Sequence, residues 1–285
     1  MSRKIIINAD DFGLCKGVNE AVAQAYSNGI LTSTTIMANM PAASEAVDIA
    51  KKLPNLGVGA HLNIFEGSAR SEDSCVDCLL DADGQFALSP FKLSLLSIFS
   101  SKIRNAVKAE FAAQIEWLID NGIKPTHLDS HKHIHSFPVI FSIVCDLARR
   151  FGIPAIRFTF EPKEICRPPW PSAARDGKKR AGIIRGMARI NRLQDSSFFK
   201  TKAVLGIAHT GKIDVDFFKA VVLYNSINVV EVMTHPGYDY GLSADKTRLI
   251  EQRRIELEAL CSEKTKQYFK NAAIKLVNYG TLCSD

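Results

Sequence analysis

Short apolar runs alternate with amphipathic stretches along this chain, and the alternation predicts the order of its elements. Residues 4–10, with Ile5, Ile6 and Ile7 in succession, read as a buried strand. Residues 17–28 read as a helix with Gly29 as its stop. Residues 31–37 are β-branched and strand-like, 42–52 form a helix before Pro54, and 56–61 form a strand closed by His61. This β-α-β-α-β order implies parallel strands with helices outside. Residues 65–90 are irregular and polar and predict a long loop over one end of the sheet, against which the apolar 91–99 is expected to pack. Residues 103–121 carry Val107, Phe111, Ile115 and Leu118 on one stripe, ending at Gly122. A strand over 126–135, a helix over 138–151 and a strand over 153–158 follow.

Prolines at 162, 168, 169 and 171 then break the rhythm, and 161–202 reads as an insertion. Within it 181–193 predicts a helix, with Ile183, Ile184, Met187 and Ile190 on one face and Arg185, Arg189 and Arg192 around the other. The alternation resumes as strand 203–208, helix 214–224, strand 228–234, helix 244–262 and strand 273–278. About eight strands alternating with helices fit an α/β fold, a distorted (β/α) barrel, better than an open dinucleotide-binding sheet. The expectation is a single domain over 1–285, with 161–202 as a lid-like insertion over the C-terminal face of the strands.

Composition narrows the class. The 285 residues suit one large domain. No apolar run approaches the roughly 20 residues that span a bilayer, and the first residues read as a strand and not as a signal peptide. Seven cysteines, odd in number and scattered, suit the cytoplasm. The net charge of +6 is uneven: residues 167–202 hold ten Lys or Arg against two Asp, so the remainder is slightly acidic. Neither a Gly-x-Gly-x-x-Gly after the first strand nor a phosphate-binding loop is present.

Candidate chemistry lies in the histidines. All seven (His61, His127, His131, His133, His135, His209 and His235) fall at or just past predicted strand ends, as do Asp10 and Asp11. Parallel α/β proteins bind ligands at that end. In an extended strand, His127, Asp129, His131, His133 and His135 share one face. A dry core has to satisfy all five groups, and a bound metal is their simplest common partner. Alternate positions are about 7 Å apart along the backbone, so one or two bind the ion and the others orient ligands or meet substrate. Two histidines and one carboxylate on a divalent ion form the natural set, with a second carboxylate to take a proton and a histidine opposite to deliver one. Adjacent Asp10 and Asp11 point to opposite faces of a regular strand, so the chain has to bend for both to serve.

These residues resemble the YdjC-like carbohydrate deacetylase family, which includes chitooligosaccharide deacetylases. The resemblance spans nearly the whole chain. It rests on Asn8-Ala9-Asp10-Asp11-Phe12-Gly13, Leu31-Thr32-Ser33-Thr34-Thr35, Gly59-Ala60-His61-Leu62, the run Pro125 to His133, and Glu231-Val232-Met233-Thr234-His235-Pro236. It implies a distorted (β/α) barrel and metal-dependent removal of acetyl from an N-acetylated sugar. By motif position, Asp11, His61 and His131 are the implied ligands of one divalent ion, zinc or magnesium. Asp10 is the implied general base and His235 the general acid. His133 is the rival of His131. His127, Asp129, His133 and His135 are then supporting or sugar-contacting groups. Ala155-Ile156-Arg157 and Phe160-Glu161-Pro162 resemble the branch associated with hopanoid biosynthesis, which implies an N-acetylglucosaminyl hopanoid as substrate. Arg157 is a candidate for sugar hydroxyls or a carboxylate, and His209 for the sugar pocket.

The partners expected are an N-acetylated sugar or glycolipid. A basic amphipathic helix over 181–193 suits peripheral contact with the inner membrane surface, and a solvated lid is the bland alternative. Nucleic acid is not expected, for want of a binding module with aromatic platforms. A homodimer is the commonest assembly. The competing functions are a metal-dependent hydrolase of another small substrate and a carbohydrate-binding protein without catalysis.

Overall fold

The three isoleucines of β1 (Lys4–Phe12) are fully buried because that strand has neighbours on both sides. The computed structural model describes residues 3–243 and 247–284. Beside β1 lie β2 (Ser33–Ile36), β3 (Gly57–Leu62) and β4 (Leu128–Ser130) on one side. On the other lie β6 (Val229–Thr234) and then β5 (Ala203–Leu205). The order is β4-β3-β2-β1-β6-β5, every pair is parallel, and the short β7 (Lys275–Leu276) pairs with the start of β1.

Residues 155–160 join the two outer strands. Leu128 N–H donates to Ala155 O and Arg157 N–H to Leu128 O, while Val204 N–H donates to Phe160 O. The sheet therefore curls, and the fold is the distorted (β/α) barrel the alternation predicts. The outer helices are α1 (Lys16–Asn28), α2 (Ala43–Lys51), α3 (Pro90–Phe99), α4 (Ser101–Asp120), α5 (Pro138–Arg150), α6 (Arg175–Gln194), α7 (Val215–Leu223), α8 (Glu251–Cys261), α9 (Glu263–Asn271) and α10 (Tyr279–Ser284). Among the described residues no helix is long and apolar enough to cross a membrane.

Five expectations need correction. The strand expected over 153–158 is only an isolated bridge between Leu128 and Ile156; Pro154 has no N–H for a ladder. The strand expected over 126–135 lasts three residues. It then turns into a 3-10 segment, His131–Ser136, closed by the His135 N–H donating to Ser130 Oγ at 2.9 Å. Residues 91–99 belong to helix α3, which buries only Leu93 and Ser97. The 65–90 loop is tied to α4 instead, where Glu110 accepts the N–H groups of Arg70 and Ser71. In the insertion, α6 begins at Arg175 and buries Ala181, Ile184, Ala188 and Asn191, so Ile183 and Ile190 are left exposed. Of the helix expected over 244–262, residues 244–246 lie outside the described residues and α8 starts at Glu251; α9 and α10 follow without having been expected.

Candidate metal centre

β1 does not run straight into the site. Its register with β2 goes Asn8–Ser33, Ala9–Thr34 and then Phe12–Ile36, so β1 accommodates one extra residue. Asp11 takes a left-handed φ of 65° there, a conformation Asp tolerates better than most residues. A bulge of this kind re-aims a side chain. Both Asp10 and Asp11 consequently line one cavity, despite being neighbours in a strand.

His61, at the end of β3, and His131, just past β4, converge on Asp11. Asp11 Oδ1 lies 3.4 Å from His61 Nε2 and 3.1 Å from His131 Nδ1. Ligand atoms about 2.0–2.1 Å from zinc are about 3.3–3.4 Å apart in a tetrahedral site, which these spacings match. Every other polar atom of the trio is held from behind. His61 Nδ1 pairs with Asp129 Oδ1 at 2.7 Å, His131 Nε2 with Glu66 Oε1 at 2.9 Å, and Arg253 Nη2 donates to Asp11 Oδ2 at 2.6 Å. Carboxylates behind histidines fix the ring and leave one nitrogen for an ion. Burial by itself lowers the His61 pKa, but Asp129, Asp11 and Asp10 overcome it and raise it to about 10. Burial likewise disfavours charge on His131, and Asp11 and Glu66 hold its pKa above the usual value. Donor set and spacing fit a metal.

Asp10, His61 and Asp129 form a second close group, yet a cation already lies among the carboxylates. The Arg157 guanidinium, 1% exposed, sets Nη1 2.7 Å from both Asp10 Oδ2 and Asp129 Oδ2. Its Nη2 lies 2.6 Å from Asp10 Oδ1 and 2.7 Å from Glu231 Oε1. Burial opposes the Asp10 charge, but Arg157 outweighs it and holds the carboxyl well below the usual range. Asn8 Nδ2 adds a bond to Asp10 Oδ1 at 2.9 Å. Tyr279 donates to Glu231 Oε2 at 2.5 Å and stacks on His127 at 4.0 Å.

The other expected residues separate by depth. His235 and His133 line the cavity with Asp10, Asp11, His61 and His131. His235 receives its setting from Glu256, whose Oε2 accepts the His235 backbone N–H at 2.6 Å and lies 3.8 Å from Nδ1. His133 is half-buried on a left-handed φ of 56°, and its Nδ1 has no hydrogen-bond partner. His127, Asp129, His135 and Arg157 are buried beneath the cavity and do not line it. His135 Nδ1 is bonded to Ser130 Oγ, and burial pushes its pKa down to about 3. His209 is turned away, bonded through Nε2 to Pro171 O and packed near Phe217 and Trp170. His127 and Asp129 thus both lie buried beneath the cavity, and the alternation ends with β4 at Ser130.

Four charged partners escaped the sequence reading: Glu66, Glu231, Arg253 and Glu256. Glu231 lies in a motif already singled out. Arg253 and Glu256 are three apart on α8, the spacing of one helix face, and both are buried. Two buried charges on one face are a signal of an inward-facing site. Nothing local marks Glu66.

The cavity, about 1130 Å³, opens at the C-terminal ends of the strands. Its floor is ionic and its walls are mostly apolar, with Arg180, Thr210 and Arg248 among them. Phe91, Leu95 and Ile98 of α3 and Ile183, Ile184 and Met187 of α6 contribute to those walls.

A parallel barrel with an Asp-His-His trio at its strand ends defines the class of fold and site. The chain belongs to the family of YdjC-like proteins, whose model matches residues 4–271. It is 32% identical over 280 residues to a carbohydrate deacetylase of Brevibacillus brevis, covering 98% of this chain and 99% of the relative. A carbohydrate deacetylase of Vibrio vulnificus strain CMCP6 is 31% identical, covering 98% and 96%. The fold is shared with a solved Enterococcus faecalis V583 protein proposed to cleave cellobiose phosphate, at TM-score 0.77 and 24% identity over 99% of each chain.

Proposed function

We propose that this protein is a metal-dependent hydrolase that removes the acetyl group from an N-acetylated amino sugar. The convergence of Asp11, His61 and His131 at the cavity floor, each braced from behind, carries the reading. The relatives named carbohydrate deacetylase support it. Asp11, His61 and His131 would hold a divalent ion, zinc or magnesium, which would supply Lewis-acid chemistry for the acetamide carbonyl.

Asp10 takes the proton of the attacking water. Arg157 keeps its carboxylate ionised and fixed in orientation, and a carboxylate with about four acceptor positions still has room for water beside its three bonds. His235, positioned by Glu256, gives a proton to the departing amine nitrogen. His133, with a free ring nitrogen at the cavity wall, contacts the sugar. His127, Asp129, His135 and Arg157 act from below by fixing the groups above them.

The walls favour a lipid-linked sugar over a free oligosaccharide. Aliphatic side chains and Phe91 offer no partners to sugar hydroxyls, whereas they match an apolar aglycone such as that of an N-acetylglucosaminyl hopanoid. The test is acetate release by metal-loaded protein from diacetylchitobiose and from an N-acetylglucosaminyl lipid in detergent. Turnover of the lipid in excess of the chitobiose is the expected result. No acetate from either, with zinc, magnesium, manganese or nickel supplied, would overturn the deacetylase reading.

A further inference from the structure

Among the described residues, most of the large exposed apolar side chains lie on two helices beside one cavity. On α3, Phe91 is 79% exposed and Phe99 81%, with Leu95 and Ile98 close to half exposed. On α6, Ile183 is 62% exposed, Ile190 50% and Leu193 89%. Phe91, Leu95, Ile98 and Ile183 also line the cavity above Asp11, His61 and His131. The two helices flank the opening because both pack on α5 and on the His131–Ser136 turn. Large exposed apolar side chains gathered on two helices beside one opening mark an interaction face.

Charge identifies its occupant. Helix α6 carries seven Lys or Arg against one Asp, and α3 carries Lys92 with no acid. Lys178, Lys179, Arg189 and Arg192 are exposed. Arg180 and Arg248 both line the cavity, and neither has a carboxylate within ion-pair distance among the described residues. Apolar side chains flanked by cations, with no anion among them on α3 and only Asp176 on α6, complement the acyl–headgroup boundary of an anionic bilayer. A protein partner of matching acidity would not account for the continuity between this rim and the apolar cavity walls. No helix among the described residues crosses a membrane, so contact has to be peripheral.

We infer that α3 and α6 together form a docking rim that seats the cavity mouth on an anionic membrane surface, with Phe91, Phe99, Ile190 and Leu193 entering the leaflet. The inference rests on the deacetylase reading only for its purpose, which is delivery of a lipid-linked sugar without passage through water. Docking itself is independent of turnover, and so is its test.

The experiment is co-sedimentation of the full chain with vesicles of phosphatidylcholine alone and of equal parts phosphatidylcholine and phosphatidylglycerol, at low and at molar salt. Binding is expected to the mixed vesicles only and to weaken with salt. Phe99→Ser with Leu193→Ser, both surface changes off the cavity, is expected to weaken it more than tenfold. Lys179→Gln with Arg192→Gln is expected to weaken it roughly fivefold per cation. Both variants should release acetate from diacetylchitobiose at the wild-type rate, whatever that rate is, and a common loss of that activity bears on the deacetylase reading alone. Equal binding to both vesicle types, no binding, or a Phe99/Leu193 variant that binds like wild type would overturn docking. Light scattering that shows a wild-type dimer split by the same variant, without vesicle binding, would assign the rim to a second copy of the chain.

Discussion

Asp11 serves three partners through two oxygens. Oδ1 faces both histidines and Oδ2 holds Arg253, so the residue is committed whether or not an ion is present. Asp10, one position earlier, faces Arg157 and has no contact with His131. Asp10 and the residues that face the ion therefore respond differently to substitution. Asp10→Asn is expected to keep metal, measured by elemental analysis after dialysis, and to lose acetate release by at least about a hundredfold, the scale of general-base contributions. His131→Ala is expected to lose both; full metal retention would remove it from the ligand set. Arg157→Met leaves Asp10, Asp129 and Glu231 buried without their common cation. It should cost about 3–5 kcal/mol in urea unfolding, with a loss under about 1 kcal/mol contradicting the network. Asp10, His61 and His235 were legible as site residues because each follows an apolar run at a strand end. Arg253 was not, because its partner Asp11 is 242 residues away and no local pattern records such a pairing.

Two elements aim the site. The bulge in β1 turns consecutive aspartates into the same cavity, and the early end of β4 swings His131 toward Asp11 while it sends His135 back to Ser130. The sequence pattern locates both segments but overextends the second, since the histidines keep their alternate spacing past the point where Ser130 closes the chain. Glycine keeps a third contact. A Cβ on Gly59 would lie 2.6 Å from the His127 ring and 2.7 Å from its carbonyl oxygen. Gly59→Ala is therefore expected to separate β3 from β4 and to destabilise by about 1–3 kcal/mol. Metal affinity should fall with it, because His61 lies two residues on; unchanged affinity in a calorimetric titration would show that the shift does not reach the site.

At the scale of the molecule, an ionic floor lies under a largely apolar mouth. If the ion binds only the folded chain, saturating metal at about a hundred times its Kd raises stability by about 2.7 kcal/mol. The thermal midpoint should rise accordingly, return with a chelator, and stay flat for His131→Ala. A midpoint indifferent to every divalent ion would remove the metal from the proposal. Sequence alone determined the parallel α/β order, the placement of Asp10, Asp11, His61, His131 and His235 at strand ends, and the basic character of α6. Those are properties of neighbours along the chain, where period and stop signals act over a few residues. The bulge, the charge partners Glu66, Glu231, Arg253 and Glu256, and the placement of α3 and α6 beside one opening were decided by tertiary structure. Buried charges choose partners by position in space, and a helix learns which face is buried only when its neighbours arrive.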